Sequence, residues 1–555
     1  MEIEFAGYTF SFWLLTTLNR YEPEDIQITT TANGIKAHAT RFSFGEGSGS
    51  TPGSWEVTFT GQPGGFSWQA RAAHSELIKG IKVAIRPLPV GTVMLPIDAE
   101  FELKEGDPGR CFVYPSGYYP VRHISSTQVE PHSGPLPIWA AQFAILRTGS
   151  QDMILSAREY PPRMKKIWVY RKGASQEIQL YSEADACRRS TEYYSPEWRL
   201  ETVNDWRQAV QEYAHWMAEA FQVLPFAQRS NVQPWLKEIS LVVILHGLAH
   251  DGKMGHDFAT MAARLEELAH LVPPGRTLVK LTGFEGRIDR NWPDSDPAPA
   301  LGGEPGFQHL VSTAHRLGYR LIPHLNVWGS SFENPITLGL VKYQMHDSEG
   351  RPSTWSYDYD QDEVAEEIFA YISPDVPEWR TVQRSKIHKL VQRGMDAIYL
   401  DQTGTFINDL HHDHFRGLKA LYSELGAAFP GTQFAGEAPT TEITVSLCAL
   451  ICGISTLPSP TQQELFRLLF GRYIRQYGYN LPPEPYRGVW GSTPTLDWWS
   501  EERYRRYVER SAVVHGIPSL NLTDRRIRLD SELVRVVIEQ AQNYQMCQAE
   551  FGGGS

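Results

Sequence analysis

Residues 394–437 contain a repeated unit, in which an apolar run is followed by an acid. Residues 397–400 form a short apolar run that ends in Asp401, and residues 432–436 form a similar run that ends in Glu437. Short apolar runs are typical of parallel strands that are covered on both faces. The segment therefore predicts two neighbouring parallel strands, each with a carboxylic acid at its C-terminal end.

The residues between the two runs favour a helix, which we place at 414–429. Its apolar residues recur at helical spacing and are Phe415, Leu418, Leu421, Tyr422 and Leu425. In a βα-barrel, acids that follow successive strands emerge at the C-terminal face, where active sites lie. Two carboxylates there suit glycoside hydrolysis. An acid at a strand end can also cap a helix or form an ion pair, but two acids in equivalent positions favour catalysis.

Composition argues against several classes of partner. The chain has 52 Lys and Arg against 64 Asp and Glu, a net charge of −12, and no long basic run, which argues against nucleic acids and anionic membranes. Five scattered cysteines form neither a disulfide framework nor a zinc ribbon. The first residues lack the basic region of a signal peptide. We therefore expect a cytoplasmic protein, unless a signal peptide has been removed.

Two kinds of patterning divide the 555 residues. Residues 1–200 contain β-branched or alternating runs separated by Gly, Pro and Ser, which predicts an antiparallel β-sandwich. Residues 201–234 contain a linker helix with Asn204 as its N-cap. From 235 to 548, apolar strands alternate with amphipathic helices, which predicts a (β/α)8 TIM-like barrel. Residues 549–555 form a tail whose Gly-Gly-Gly-Ser end is typical of an expression linker. The clearest β-runs are 26–31, 55–60, 81–85, 141–146 and 167–170.

The predicted barrel strands place several polar and aromatic residues in the loops of one face. The strands are assigned to 240–245, 277–281, 319–323, 397–400, 432–436, 449–455, 486–490 and 513–521. Six side chains in the strand-end loops are candidates for substrate binding: His246, Trp292, Asp294, His324, Asn326 and Trp328. The polar ones suit sugar hydroxyls, and the indoles suit stacking on sugar rings. Each also fits a structural role as a satisfied polar group or a packed ring.

Several segments, in this order, resemble a family of retaining glycosidase barrels, the endo-α-N-acetylgalactosaminidases and their poorly characterised bacterial relatives. The matching segments are Asp205-Trp206 with Tyr213 and Trp216, Trp292-Pro293-Asp294 with Leu301-Gly302-Gly303, His324-Leu325-Asn326, Ser373-Pro374 with Trp379, Tyr399-Leu400-Asp401, and Gly436-Glu437. The resemblance covers about 200–440 and the β-rich region before it. In that family, and in the α-amylase-like barrels, an Asp nucleophile follows strand four and a Glu acid/base follows strand five. The resemblance thus implies these roles for Asp401 and Glu437.

The resemblance implies hydrolysis of an α-glycosidic bond by a retaining double displacement. Asp401 attacks the anomeric carbon while Glu437 protonates the leaving oxygen, and Glu437 then deprotonates water. The other large group of barrels, the β-glycosidases, has an Asn-Glu pair after strand four, which is missing here. The expected partner is an oligosaccharide, polysaccharide or glycoconjugate, with no cofactor and no metal. Members of that family usually carry β-domains after the barrel, and this sequence leaves no room for one. Because of this departure, the resemblance does not imply which sugar the substrate contains.

Two alternatives remain open. His246, His250 and His256, or the run His411-His412-Asp413-His414, suggest a metal-dependent hydrolase, although neither has a recognised ligand spacing. The second alternative is a non-catalytic glycan-binding barrel, against which the presence of both acids argues. Sensitivity to a chelator identifies the metal-dependent case, and an α-glycosidase assay separates the other two.

Overall fold

A computed structural model describes most of the chain. The described residues are 2–96, 99–115, 124–125, 139–149, 151–249, 252–287, 291–358, 367–438, 440–453, 459–478, 500–514, 516–523 and 525–551. Within these residues, no helix is long and apolar enough to cross a membrane.

The residues described before Trp206 form a large antiparallel β-region. Its strands are β1 Glu2–Phe5, β2 Tyr8–Thr16, β3 Arg20–Glu24, β4 Gln27–Thr31, β5 Gly34–Phe44, β6 Gly49–Gln62, β7 Gly65–Ala73, β8 Ile78–Leu88, β9 Thr92–Leu95, β10 Ala99–Phe101, β11 Arg110–Tyr114, β12 Ile124–Ser125, β13 Phe143–Arg147, β14 Asp152–Ala157, β15 Lys165–Lys172, β16 Ser175–Glu183, β17 Glu192–Tyr194 and β18 Trp198–Val203. All five β-runs named from the sequence are confirmed as strands, namely β4, β6, β8, β13 and β15.

Apart from β12, which pairs with a later strand, the strands of this region pair in two antiparallel layers that share β3. One layer contains β1, β2, β8, β16, β15 and β11. The other runs from β4 and β5 through β6, β7, β18, β14, β13 and β9 to β10. β3 pairs with β2 at its start and with β5 at its end. Rings from the two layers meet in the core: the Phe10 ring centroid lies 4.7 Å from that of Phe59 and 5.5 Å from that of Trp68. Alternating apolar residues therefore face a shared interior, as period-two patterning predicts.

From Trp206 onward, helices alternate with strands. The elements are α1 Trp206–Ala220, β19 Leu241–Leu248, α2 Phe258–Leu268, β20 Thr277–Arg287, α3 Gly303–Leu317, β21 Arg320–Asn326, β22 Gly329–Ser331, α4 Pro335–Leu340, β23 Thr354–Asp358, β24 Glu367–Tyr371, α5 Pro377–Gln392, β25 Ala397–Asp401, α6 His414–Ala428, β26 Gln433–Glu437, α7 Glu442–Leu447, β27 Leu450–Cys452, α8 Pro460–Phe470, β28 Arg475–Tyr477, α9 Glu501–Val513, β29 Ser519–Leu522 and α10 Glu532–Phe551.

Eight of these strands form a nearly closed parallel barrel. They are hydrogen-bonded in the order β28–β27–β26–β25–β21–β20–β19–β29. The two edges meet just before β29, where Ile517 forms a parallel bridge with Tyr477 and its N–H donates to the carbonyl of Gln476 at 2.7 Å. The prediction of a parallel eight-stranded barrel is thus confirmed as a nearly closed sheet. Within residues 394–437, the predicted strand, helix and strand correspond to β25, α6 and β26. A small four-stranded sheet has the order β12–β23–β24–β22. Its strands β22, β23 and β24 lie in the chain between β21 and α5, and β12 comes from the β-region.

Three predicted details are wrong. The N-cap of α1 is Asp205, whose carboxylate accepts from the N–H of Arg207 at 3.0 Å, and not Asn204; adjacent Asn and Asp offer the same capping chemistry. Strand seven is β28, and the predicted run 486–490 lies outside the described residues. Only three residues long, and with Arg and Gln among them, β28 has no apolar signature. Residue 513 belongs to α9, so strand eight is shorter than predicted.

A buried polar cluster joins the β-region to the barrel. Glu442, the first residue of α7, is fully buried. Its carboxylate accepts hydrogen bonds from the hydroxyls of Tyr114 and Tyr213 and, at 3.1 Å, from Nε2 of Gln142. Burial raises the pKa of Glu442, and the three donors compensate for the water that the carboxyl has lost. Because α7 follows β26 closely, these contacts help fix the strand end that carries Glu437.

Candidate active site

Asp401 is held at the end of β25 by donors from two strands. Residues 399 and 401 lie on the same face of the strand because side chains alternate. The Tyr399 hydroxyl donates to Oδ1 of Asp401 at 3.0 Å, and Nδ2 of Asn326 donates to Oδ2 at 3.4 Å. Nε2 of His324 lies 3.7 Å from Oδ1. Donors of this kind stabilise the ionised form of a buried carboxyl, so the arrangement suits a carboxylate that acts as a nucleophile.

Glu437 is bound to the turn that follows Asp401. Its Oε2 accepts a hydrogen bond from the backbone N–H of Gln402 at 2.7 Å. Gln402 has a φ of +60°, a left-handed conformation that is uncommon outside glycine and that concentrates at functional sites. This strained turn therefore positions both acids, because it follows Asp401 directly and its backbone N–H binds Glu437.

The side chain of Gln402 connects three strand-end segments. Its Oε1 accepts from Nδ2 of Asn326 at 3.0 Å and from Nε1 of Trp328 at 3.2 Å. Its Nε2 donates to the hydroxyl of Tyr371 on β24 at 3.2 Å. Neither Gln402 nor Tyr371 is among the site residues predicted from the sequence. The only signal for Gln402 was its place directly after Asp401, and Tyr371 enters the site through a small sheet that was not predicted.

Four of the predicted binding residues lie in one connected cluster with Asp401. His324 and Asn326 contact it directly, and the ring of Trp292 stacks on His324 with centroids 5.7 Å apart. Trp328 packs edge-on against His414 at 4.6 Å. Both indoles are buried, at 1% and 0% exposure. This burial favours a supporting role for the indoles over direct stacking on a sugar.

His246 and Asp294 have structural partners. Nε2 of His246 lies 2.8 Å from Oδ1 of Asn521, and Nδ1 lies 2.9 Å from Oγ1 of Thr282. Burial lowers the pKa of His246 to about 4, so the ring is neutral. Asp294 accepts from Asn334 at 2.9 Å and pairs with Lys386 on α5. Direct contact of either residue with a sugar remains a prediction.

The histidine clusters do not assemble a metal site in the part of the chain that is described. His412 pairs with Asp409 at 2.7 Å, and His411 packs edge-on against His346. Among the described residues, no group of three or more His, Cys, Asp or Glu side chains could hold a metal ion. His250 lies outside those residues. The metal-dependent alternative therefore has no candidate centre in the described structure.

Comparison with known proteins identifies the fold. A family described as a domain of unknown function (DUF6259) matches residues 194–420, less than half of the chain. No curated protein matches the sequence. The α-N-acetylgalactosaminidase NagBb from Bifidobacterium bifidum, solved with GalNAc, has a TM-score of 0.66 at 12% identity over 99% of this chain and 93% of its own. The chain has the fold of this enzyme.

Two α-galactosidases are similar over less of their own length. The enzyme from Lactobacillus brevis has a TM-score of 0.53 at 13% identity, covering 99% of this chain and 71% of its own. The GH36 enzyme AgaA from Geobacillus stearothermophilus has a TM-score of 0.53 at 9% identity, covering 97% and 76%. At these identities the likeness establishes a shared architecture, a β-rich region followed by a barrel.

Proposed function

We propose that this protein is a glycoside hydrolase that cleaves an α-glycosidic bond with retention, with Asp401 as nucleophile and Glu437 as acid/base. The observation that carries the proposal is the hydrogen bond from the N–H of Gln402 to Glu437, because it couples two acids at the C-terminal ends of neighbouring strands. The comparisons support it through fold, since the similar structures named above are glycosidases. In this proposal residues 1–200 form a β-sandwich and 235–548 a (β/α)8 barrel.

In the proposed reaction the carboxylate of Asp401 attacks the anomeric carbon as Glu437 gives its proton to the departing oxygen. The resulting ester joins the sugar to Asp401. Glu437, now ionised, removes a proton from water, which attacks the anomeric carbon and releases the sugar and a free Asp401 carboxylate. Tyr399 and Asn326 hold the nucleophile throughout, and the N–H of Gln402 holds the acid/base. Such preorganisation is a large part of catalytic power in enzymes.

The proposed substrate is an α-linked galactose or N-acetylgalactosamine unit. NagBb is named for α-N-acetylgalactosamine, and an AgaA variant was solved with raffinose. We therefore place these two sugars first among α-glycosides. The relationship to endo-acting enzymes and to α-amylase-like barrels stays a prediction of the sequence.

A panel of aryl α-glycosides tests the proposal. It contains the p-nitrophenyl α-glycosides of N-acetylgalactosamine, galactose, glucose and arabinose, assayed with and without a chelator. We expect turnover of a galacto-configured member that chelator does not abolish. Binding of glycans without turnover of any member overturns the proposal in favour of a glycan-binding barrel, and turnover that a chelator abolishes overturns it in favour of a metal-dependent enzyme.

Gly329→Ala is expected to lower kcat/KM on the best panel substrate by up to about 100-fold, because it displaces a side chain that holds the nucleophile. A Cβ at 329 would lie 2.9 Å from Cγ and from Oδ1 of Asn326. That amide is bound to Gln402, to the N–H of Trp328 and to Asp401, so a shift that relieves the clash disturbs the contacts that hold Asp401. Steady-state kinetics measures the effect.

The matched control for this variant is Gly339→Ala on α4. A Cβ at 339 would meet no atom within 4 Å, and we expect unchanged kinetics. Equal activity of the Gly329→Ala variant and the wild type would contradict the positioning role of Asn326.

A further inference from the structure

A buried lysine lies inside the barrel beneath the two acids. Lys280, on β20, has 0% exposure. Its Nζ lies 3.4 Å from the centroid of the Tyr399 ring, 5.9 Å from that of Tyr477 and 3.9 Å from Sγ of Cys452. Burying an ammonium group is costly unless negative charge or an aromatic face compensates for the lost water. A lysine in this position therefore requires an explanation.

Two residues that Lys280 contacts, Tyr399 and Cys452, are neighbours of the two acids. Tyr399, whose ring it faces, donates its hydroxyl to Asp401 at 3.0 Å. Cys452 is the register partner of Glu437 in the pairing of β26 with β27. Burial raises the pKa of Tyr477 well above its usual value, and the charges of Glu437 and Asp401 add to this rise. The two carboxylates thus act electrostatically on the same interior cluster in which the ammonium lies.

The proposed reaction needs one ionised and one protonated carboxyl in the resting site. Two carboxylates close together resist double ionisation, and a single positive charge nearby compensates for one negative charge. We propose that Lys280 is a positioning residue that keeps Asp401 ionised, through its contact with the Tyr399 ring and the hydroxyl that this ring presents to the carboxylate. This inference rests on the proposed function. It identifies Lys280 as the group whose positive charge balances the negative charge of Asp401.

Other titratable groups of the barrel face the same space. They are His246 on β19, His324 on β21, Tyr399 and Asp401 on β25, Glu437 on β26, Cys452 on β27 and Tyr477 on β28. His246 is neutral because burial lowers its pKa to about 4, an effect to which the charge of Lys280 adds. Tyr477 is neutral because its pKa is raised. Lys280 thus places a positive charge beside two neutral groups, His246 and Tyr477, and near the two acids.

Lys280→Met tests the proposal because methionine has a similar length and no charge. With the best aryl α-glycoside of the panel, we expect kcat on the acidic side of its pH profile to fall about 10-fold, because fewer molecules carry an ionised Asp401 there, with KM changed less than about threefold. We also expect the acidic limb of the kcat/KM profile to move at least one unit to higher pH. Lys237→Met, at an exposed lysine, should change neither. A lower kcat with an unmoved acidic limb would overturn the proposal and assign Lys280 to packing alone.

Tyr399→Phe gives a second test in which the lysine and the aromatic face both remain. Only the hydroxyl that links the ring to Asp401 is removed. We expect the acidic limb to move in the same direction and by less than in Lys280→Met. A profile identical to that of the wild type would overturn the proposed link, whether or not the lysine variant folds.

A double-mutant cycle in melting temperature separates this inference from the proposed function, because it needs no turnover. Lys280→Met should lower the melting temperature by leaving Asp401 uncompensated, and adding Asp401→Asn should restore part of the loss. Additive effects would overturn the inference even in an active enzyme. A clear coupling in a protein that hydrolyses no α-glycoside would support the charge pairing and reject the proposed function.

Discussion

Replacing Asp401 with asparagine is expected to reduce kcat/KM on every α-glycoside substrate by about four to six orders of magnitude, as removal of a catalytic nucleophile does in other enzymes. Asparagine keeps the size of the side chain and can still accept the hydrogen bond from the Tyr399 hydroxyl. It cannot form the ester intermediate, so the first step of the reaction is lost. Steady-state kinetics on purified protein, with melting temperature as a check of folding, measures the effect.

The matched control lies at the other end of the same strand. Asp396 directly precedes β25 and pairs with Arg320 at 2.8 Å and with His315 at 3.0 Å, on the N-terminal side of the barrel. Asp396→Asn should cost some stability and leave kcat within about threefold of the wild-type value, since stability and catalysis occupy opposite faces of such barrels. Loss of activity in Asp396→Asn with retention in Asp401→Asn would reverse the assignment of the catalytic face.

Glu437→Gln is expected to discriminate between leaving groups. Natural sugar or alkyl leaving groups need a proton from the enzyme, and their kcat/KM should fall by about 10²- to 10⁴-fold. Aryl groups with acidic phenols leave without that proton, and their kcat/KM should fall far less. Hydrolysis of the intermediate also loses its base, so an external nucleophile such as azide should raise the turnover of activated substrates. The product expected is the α-glycosyl azide, formed by attack on a β-linked intermediate.

Glu424→Gln serves as the control for this variant. Glu424 lies on α6 and pairs with Arg380 at 2.8 Å. We expect no dependence on the leaving group in this variant. Equal losses for all leaving groups in Glu437→Gln, without rescue by azide, would contradict an acid/base role.

The centre of the barrel was predictable because its signal is local and repeated. Residues 397–400 are apolar and buried, as a strand covered on both faces requires, and the next strand repeats the pattern. The helix between them has a regular apolar stripe that the structure buries. A carboxylic acid at the end of each strand then places two acids at one face.

The remaining features depend on tertiary contacts that leave no local signal. β28 has three residues and only one apolar side chain, so its existence depends on its neighbours in the barrel. The φ of Gln402 is imposed by the hydrogen bonds around it, since isolated glutamine disfavours the left-handed region. The burial of Trp292 and Trp328 likewise could not be foreseen, because a packed indole and an exposed stacking indole are the same residue in a sequence.

The configuration of the first-formed sugar distinguishes double displacement at Asp401 from a single displacement by water. Proton NMR can follow the anomeric signal of the released sugar in the first minutes of hydrolysis of an α-glycoside, before mutarotation mixes the anomers. Two successive inversions at the anomeric carbon return the starting configuration, so we expect the α-anomer to appear first. Initial release of the β-anomer would show a single displacement by water and would exclude Asp401 as a nucleophile, even if both acids proved essential.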